Sequence, residues 1–269
     1  MYETGYILTG DELLALSAYL GASVVYGIKE RKTFDPGKSG KIWETAKQSL
    51  QRKGLLFDEA GDHDCDHDCD HDCDHDCDHD RGGQSLDLDF SSCLETYAKH
   101  NQRVFMRCLY EGRELQCHYF INDGCVVRLE PNARSIDEYI LTQLEPSELT
   151  KLIYEDMRFN NYQSGENLSY SFSPDDLEFF IKDKNISHKG FRDIHSDLKT
   201  AVGELTNVRT LLYFKENVCV KYLLAYGGNK YIWRLVKDNE SLFKFYCCSP
   251  SEYTVELTHL IQKTKEDLI

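Results

Sequence analysis

Residues 103–130 read RVFMRCLYEGRELQCHYFINDGCVVRLE, and residues 209–236 read RTLLYFKENVCVKYLLAYGGNKYIWRLV. Both are series of β-branched and aromatic runs broken by short polar pairs. In the first, the runs 103–110, 115–121 and 125–130 are separated by Glu111-Gly112-Arg113 and Asn122-Asp123-Gly124. Gly, Asn and Asp tolerate the positive φ of tight hairpin turns, so the three runs are expected to fold as an antiparallel meander. In the second, the runs 209–215, 218–226, 230–237 and 241–248 are separated by Glu216-Asn217, Gly227-Gly228-Asn229 and Asp238-Asn239-Glu240. The two segments align without a gap at an offset of 106: Arg103 falls on Arg209, Arg128 on Arg234, Leu129 on Leu235, and Val126-Val127 on Ile232-Trp233.

Helical periodicity surrounds each meander. Thr9 and Glu12 form a capping box ahead of Leu13, Leu16 and Leu20, and a second helix carries Ile42, Ala46 and Leu50 up to a stop at Gly54. A third carries Phe90, Leu94 and Tyr97. After the first meander, helices are expected at 135–143, where Ser135 and Glu138 read as a capping box, and at 146–157. A polar loop follows at 159–171, then helices from Ser173-Pro174 through Ile181 and over 191–202, and a last one carrying Tyr253, Leu257, Leu260 and Ile261. The fold class is therefore α+β: two antiparallel meander sheets in halves related by a pseudo-two-fold, with flanking helices and an N-terminal helical, winged-helix-like module. The expected divisions are 1–100, 101–190 and 191–269.

Residues 62–81 are unlike the rest. They read DHDC four times and then DHDR, giving His63, Cys65, His67, Cys69, His71, Cys73, His75, Cys77 and His79 with Asp between each. Imidazole and thiolate are ligands for zinc, nickel or copper, so these nine side chains are the candidate metal ligands. Their uniform spacing favours no one register, which implies loose binding of several ions. The segment has no apolar stem for a core, so 61–84 is expected to be a loop inserted in a surface connection. The ten Asp of residues 62–80 supply 10 of the 15 net negative charges. The remaining seven Cys lie mostly within apolar runs, and no leader or 18-residue uncharged span is visible, so a cytoplasmic protein with reduced thiols and no membrane insertion is expected.

Catalytic motifs do not emerge, and no cofactor is required by any residue pattern. His118 sits mid-run between Cys117 and Tyr119, a structural position, and Cys247-Cys248 lacks the C-x-x-C spacing of a redox pair. Gly37-Lys38-Ser39 lacks the upstream Gly of a phosphate loop, since Lys32 stands there, and reads as a helix start. The stretch 29–53 holds eight Lys and Arg, but an acidic chain with ten Asp in the adjoining wing repels phosphate, which argues against nucleic acid as a partner. With 17 Tyr and 13 Phe, a protein-binding scaffold is favoured over an enzyme; Tyr119, Tyr226, Tyr231 and Trp233 are anchors if exposed and core if not.

The order Leu8-Thr9-Gly10-Asp11-Glu12-Leu13, a helix ending Leu50-Gln51-Arg52-Lys53-Gly54-Leu55, then a short helix and a strand at Val104-Phe105-Met106 resembles the EspG family of type VII (ESX) secretion-associated proteins. The resemblance implies a pseudo-symmetric α+β body and a non-enzymatic cytosolic adaptor or chaperone. Its protein partner would be a WXG/LXG-type secretion substrate, and no catalytic residues carry over. The DHDC insertion departs from the family pattern. It leaves open the alternative of a metal-binding protein or metal-responsive winged-helix regulator acting through the repeat.

Overall fold

The turns behave as their residues dictate. Glu111 and Gly112, Asp123 and Gly124, and Glu216 and Asn217 all have positive φ, the conformation of a two-residue hairpin turn. They join β4 (Gln102–Tyr110) to β5 (Arg113–Asn122), β5 to β6 (Cys125–Pro131), and β9 (Val208–Lys215) to β10 (Val218–Gly227). The computed structural model describes residues 5–22, 24–28, 39–58, 84–159, 162–163, 169–176, 178, 197, 207–239 and 242–266. The expected helix over 191–202 apart from Asp197, most of that through Ile181, and the whole DHDC repeat lie outside the described residues.

The two meanders are not separate sheets. β4 pairs antiparallel with β9, from Gln102 opposite Lys215 to Cys108 opposite Arg209, and this seam makes one ten-stranded antiparallel sheet. Its remaining strands are β1 (Gly5–Thr9), β7 (Glu138–Leu144), β8 (Ser169–Phe172), β11 (Ile232–Asn239) and β12 (Leu242–Cys248), in the order β1-β7-β6-β5-β4-β9-β10-β11-β12-β8. Joining the meanders removes two central edges whose unpaired N–H and C=O groups would otherwise need cover.

The order is symmetric about the seam, and so is the register. Tyr119 opposite Arg128 corresponds to Ala225 opposite Arg234, and Leu8 opposite Tyr139 corresponds to Phe172 opposite Phe243. The strand-to-helix corners correspond too. Thr9 Oγ accepts from the Glu12 N–H at 3.2 Å, and Ser173 Oγ accepts from the Asp176 N–H at 3.2 Å. One expected equivalence fails. Arg103 and Arg209 face opposite sides of the sheet, because a bulge between Cys219 and Lys221 shifts β10 by one residue against β9. Beyond the bulge, the offset of 106 holds.

Two sequence expectations are corrected. Residues 135–143 do not form a helix; 138–144 are β7. Glu138 does not cap Ser135: its carbonyl accepts from the Asn132 N–H at 2.8 Å, and its carboxylate from Asn132 Nδ2 at 3.0 Å, closing a loop. The N-terminal segment is not wholly helical either, since β1 adds to the sheet beside β7.

Helices α4 (Leu149–Asp156) and α5 (Pro250–Glu266) lie on one face of the sheet. Leu149, Ile153, Tyr253 and Leu257 pack there on Val104, Met106, Leu211 and Tyr213, each at most 2% exposed. Such side chains contribute about 1.5–3 kcal/mol each on burial. Polar pins fix the helices. Tyr119 donates to Asp156 at 2.6 Å, Arg128 reaches Asp156 at 3.0 Å, and Arg234 pairs with Glu256. Arg209, fully buried, donates to the Met157 carbonyl at 2.8 Å and to Tyr162 at 2.8 Å. On the other face of the first half lie α1 (Gly10–Tyr19), α2 (Ser39–Arg52) and α3 (Leu88–Ala98). They cover Leu8, Phe120, Val127 and Leu141 with Leu13, Leu50, Phe90 and Leu94.

Candidate functional site

The antiparallel register sorts the side chains of the four central strands, and on the face away from α4 and α5 it lines them up in three rows. Gln116, Arg107, Thr210 and Leu224 make one row. His118, Phe105, Leu212 and Tyr222 make the next, and Phe120, Arg103, Phe214 and Cys219 the third. The alternation that buries Met106, Leu211 and Leu223 against α4 and α5 sends Phe105, Leu212 and Tyr222 the opposite way.

The middle row is the apolar one and is not fully covered. Phe105 and Leu212 are half-buried, and Tyr222 is 55% exposed, next to Val220 at 50%. The first row is polar over Gln116, Arg107 and Thr210, with Arg107 exposed, and ends in the half-buried Leu224. Arg107 pairs with Glu114 at 2.5 Å, and Gln116 donates to the same carboxylate at 2.6 Å. Past Glu114 and Gln116 opens a cleft of about 830 Å³, walled by residues 131–137 and with Ile136, 88% exposed, in its lining. The third row is covered at Arg103 by residues 24–28, where the guanidinium lies 4.1 Å over the Tyr26 ring, and only its far end, at Cys219, is exposed. An apolar strip between a polar row and a covered row suits the docking of a protein surface, with aromatics as anchors at low entropy cost.

The side chains singled out from the sequence fall differently. Tyr119 and Trp233 are core, 0% and 1% exposed, while Tyr226 and Tyr231 are half-buried against the cluster of Trp233, Phe172 and Phe245. None of the four is an exposed anchor. His118 is structural: burial first, then Arg103 and His100, hold its imidazole down to about 3. Burial pushes the Cys93 and Cys117 thiols up to about 12 and, first among its causes, the Cys247 thiol to about 11, so these are packed thiols and not nucleophiles at neutral pH. The nine ligands from His63 to His79 lie outside the described residues. Among the described residues, no group of three or more His, Cys, Asp or Glu could hold a metal ion, and no helix is long and apolar enough to cross a membrane.

Phe105, Leu212 and Tyr222 carry no sequence signal of their own. In runs that are apolar on both faces, periodicity does not say which face is covered.

No protein-family model and no curated protein matches the sequence. Among solved structures, the chain has the fold of the Mycobacterium tuberculosis type VII secretion system chaperone EspG5, determined in complex with a PE25-PPE41 dimer. The similarity has a TM-score of 0.57 at 8% identity and covers 95% of each chain. At that identity the likeness is one of fold, and it extends over both halves.

Proposed function

We propose that this chain is a cytoplasmic, non-enzymatic adaptor that holds a helical substrate of a type VII secretion system before export. The observation that carries the reading is the fold shared, end to end, with a chaperone solved on its cargo. The partly exposed row of Phe105, Leu212 and Tyr222 supports it, because it offers apolar area where the chaperone task needs it: outside the protein's own core. The cargo is expected to be a WXG/LXG-type protein encoded near this chain.

Co-expression with the N-terminal domain of such a neighbour, followed by size exclusion, tests the reading. A co-eluting complex is expected, and Tyr222→Ala is expected to weaken it at least about tenfold with an unchanged melting temperature. A neighbour that is as soluble and as well secreted in cells lacking this chain overturns the adaptor function. Salt-dependent, sequence-selective binding to DNA upstream of its own gene would instead favour a regulator.

We also propose that His63, Cys65, His67, Cys69, His71, Cys73, His75, Cys77 and His79 take up zinc, nickel or copper ions in several steps. The ligand chemistry supports this, together with the position of the insert. Strands β2 (Leu56–Asp58) and β3 (Gln84–Leu86) pair as a ladder with Asp58 opposite Gln84, so the insert leaves and re-enters the fold at one point. Competition against a chromophoric chelator under reducing conditions is expected to show stepwise uptake that disappears with the repeat. One tight saturating site, or none, would overturn it.

A further inference from the structure

The third cross-strand row holds a cation that the docking function does not use. Arg103 is 8% exposed, and its Nε has no hydrogen-bond partner among the described residues. Its guanidinium lies between two rings, Tyr26 at 4.1 Å and Phe214 at 4.2 Å, and its Nη1 is 3.3 Å from Nδ1 of His118. A guanidinium only donates, so His118 Nδ1 must be the acceptor, and the imidazole must be neutral with its proton on Nε2.

Residues 24–28 are strapped over this arrangement. The Tyr26 carbonyl accepts from the Tyr97 hydroxyl of α3 at 3.0 Å, and the Tyr26 hydroxyl donates to Asn217 Oδ1, in the β9–β10 turn, at 2.7 Å. The strap thus ties the N-terminal helices to the second half of the sheet. Gly27 follows with φ +86°, and a Cβ there would stand 2.6 Å from Leu129 Cδ2 and 3.2 Å from His118 Cδ2. The strap backbone therefore rests on the histidine itself.

We propose that residues 24–28 form an acid-releasable latch, closed while His118 is neutral and opened when His118 takes a proton. Protonation removes the acceptor for Arg103 and sets two cations in contact under the strap. His100 adds to the opposition. Its ring meets Tyr26 edge-on at 5.5 Å, and it lowers the affinity of His118 for a proton, as Arg103 does. Among the described residues, the other titratable groups that act on Arg103 or bond the strap are the Tyr26 and Tyr97 phenols and the Cys219 thiol, with Glu216 next to Asn217 in the turn that the Tyr26 hydroxyl reaches. The closed state holds His118 down to about 3, whereas a solvated imidazole lies near 6.5. The open state therefore binds the proton first as pH falls. The latch keeps its full strength above about pH 7, and the closed-to-open ratio drops roughly twenty-fold between pH 7 and pH 5.

Amide exchange of residues 24–28 in the full chain, corrected for the intrinsic pH dependence, reads that ratio. Protection of the strap is expected to fall roughly twenty-fold from pH 7 to pH 5, while β4 and β9 keep theirs. His118→Gln keeps an acceptor for Arg103 without titrating, and its strap is expected to stay protected at both values. An equal loss in His118→Gln, or no loss in the wild type, overturns the latch. The His118 ring, followed by NMR in the wild type, gives an independent check should that variant fail to fold. A ring that stays neutral while the strap opens also overturns it.

Discussion

The two halves of the sheet share one backbone plan and solve its packing in different ways. In the first, the face away from α4 and α5 is filled by side chains of α1–α3: Leu13, Leu50, Phe90 and Leu94 meet Leu8, Phe120 and Leu141. In the second, the corresponding positions are aromatic, with Phe172, Trp233 and Phe245 in a smaller cluster. At its rim sits Asp197, 7% exposed, whose carboxylate accepts from Trp233 Nε1 at 2.8 Å and the Lys230 N–H at 2.8 Å. Gly228 leaves no room for a Cβ beside that carboxylate. The register is held in common, while one half is packed by a mixture of leucines and aromatic rings from three helices and the other mainly by aromatic rings beside a buried acid. A duplicated backbone thus constrains pairing far more than it constrains the means of filling a core.

The comparison breaks most visibly on large-to-small changes. Phe90→Ala in the first half and Phe245→Ala in the second are each expected to cost about 4 kcal/mol. Because the β4–β9 seam makes the sheet continuous, each variant should unfold in a single urea transition; two transitions would mean that the halves fold separately. Asp197→Ala strands the indole N–H of Trp233 and the backbone N–H groups of Lys230 and Tyr231, and is expected to cost about 3 kcal/mol, with the Trp233 emission shifting to the red. Smaller and sharper is the contrast between the corners. Glu12 is 2% exposed and bonded to Lys53 Nζ at 2.6 Å, whereas Asp176 is exposed. Glu12→Ala should cost about 2 kcal/mol and Asp176→Ala about 0.5 kcal/mol, measured by thermal unfolding. Last, replacing residues 61–83 with a short Gly/Ser linker should change stability by no more than about 0.5 kcal/mol in chelator. A loss above ~2 kcal/mol would make the insert part of the fold.

Much of this plan was legible where local chemistry and tertiary need agree. The Thr9–Glu12 capping box, the stop at Gly54, the three two-residue turns and the equivalence of Arg128 with Arg234 all follow from residue types at fixed spacing. The helix expected over 135–143 rests on Ser135 and Glu138 reading as a capping box, and that residue pair occurs equally well where a loop enters a strand. The pairing of the 138–144 segment with β6 on one side and β1 on the other decides the matter, and neither pairing is local. The β4–β9 seam was invisible for the same reason: nothing within a strand says that its free edge meets another meander. The equivalence of Arg103 and Arg209 misled because one bulged residue on β10 turns the frame over. The partly exposed row of Phe105, Leu212 and Tyr222 is not legible because the strands carry apolar residues on both faces.

The pairing of Asp58 with Gln84 bears on how the gene can change. Each DHDC unit is four residues, hence twelve nucleotides, so slippage of the replicating strand adds or removes whole units without disturbing the reading frame. With both ends of the insert anchored side by side, loop closure grows only logarithmically with length, about 0.6 kcal/mol per doubling. Selection for a folded chain therefore exerts little force on the number of units. The number of His and Cys side chains can thus change by whole units as a length polymorphism while the rest of the fold stays fixed.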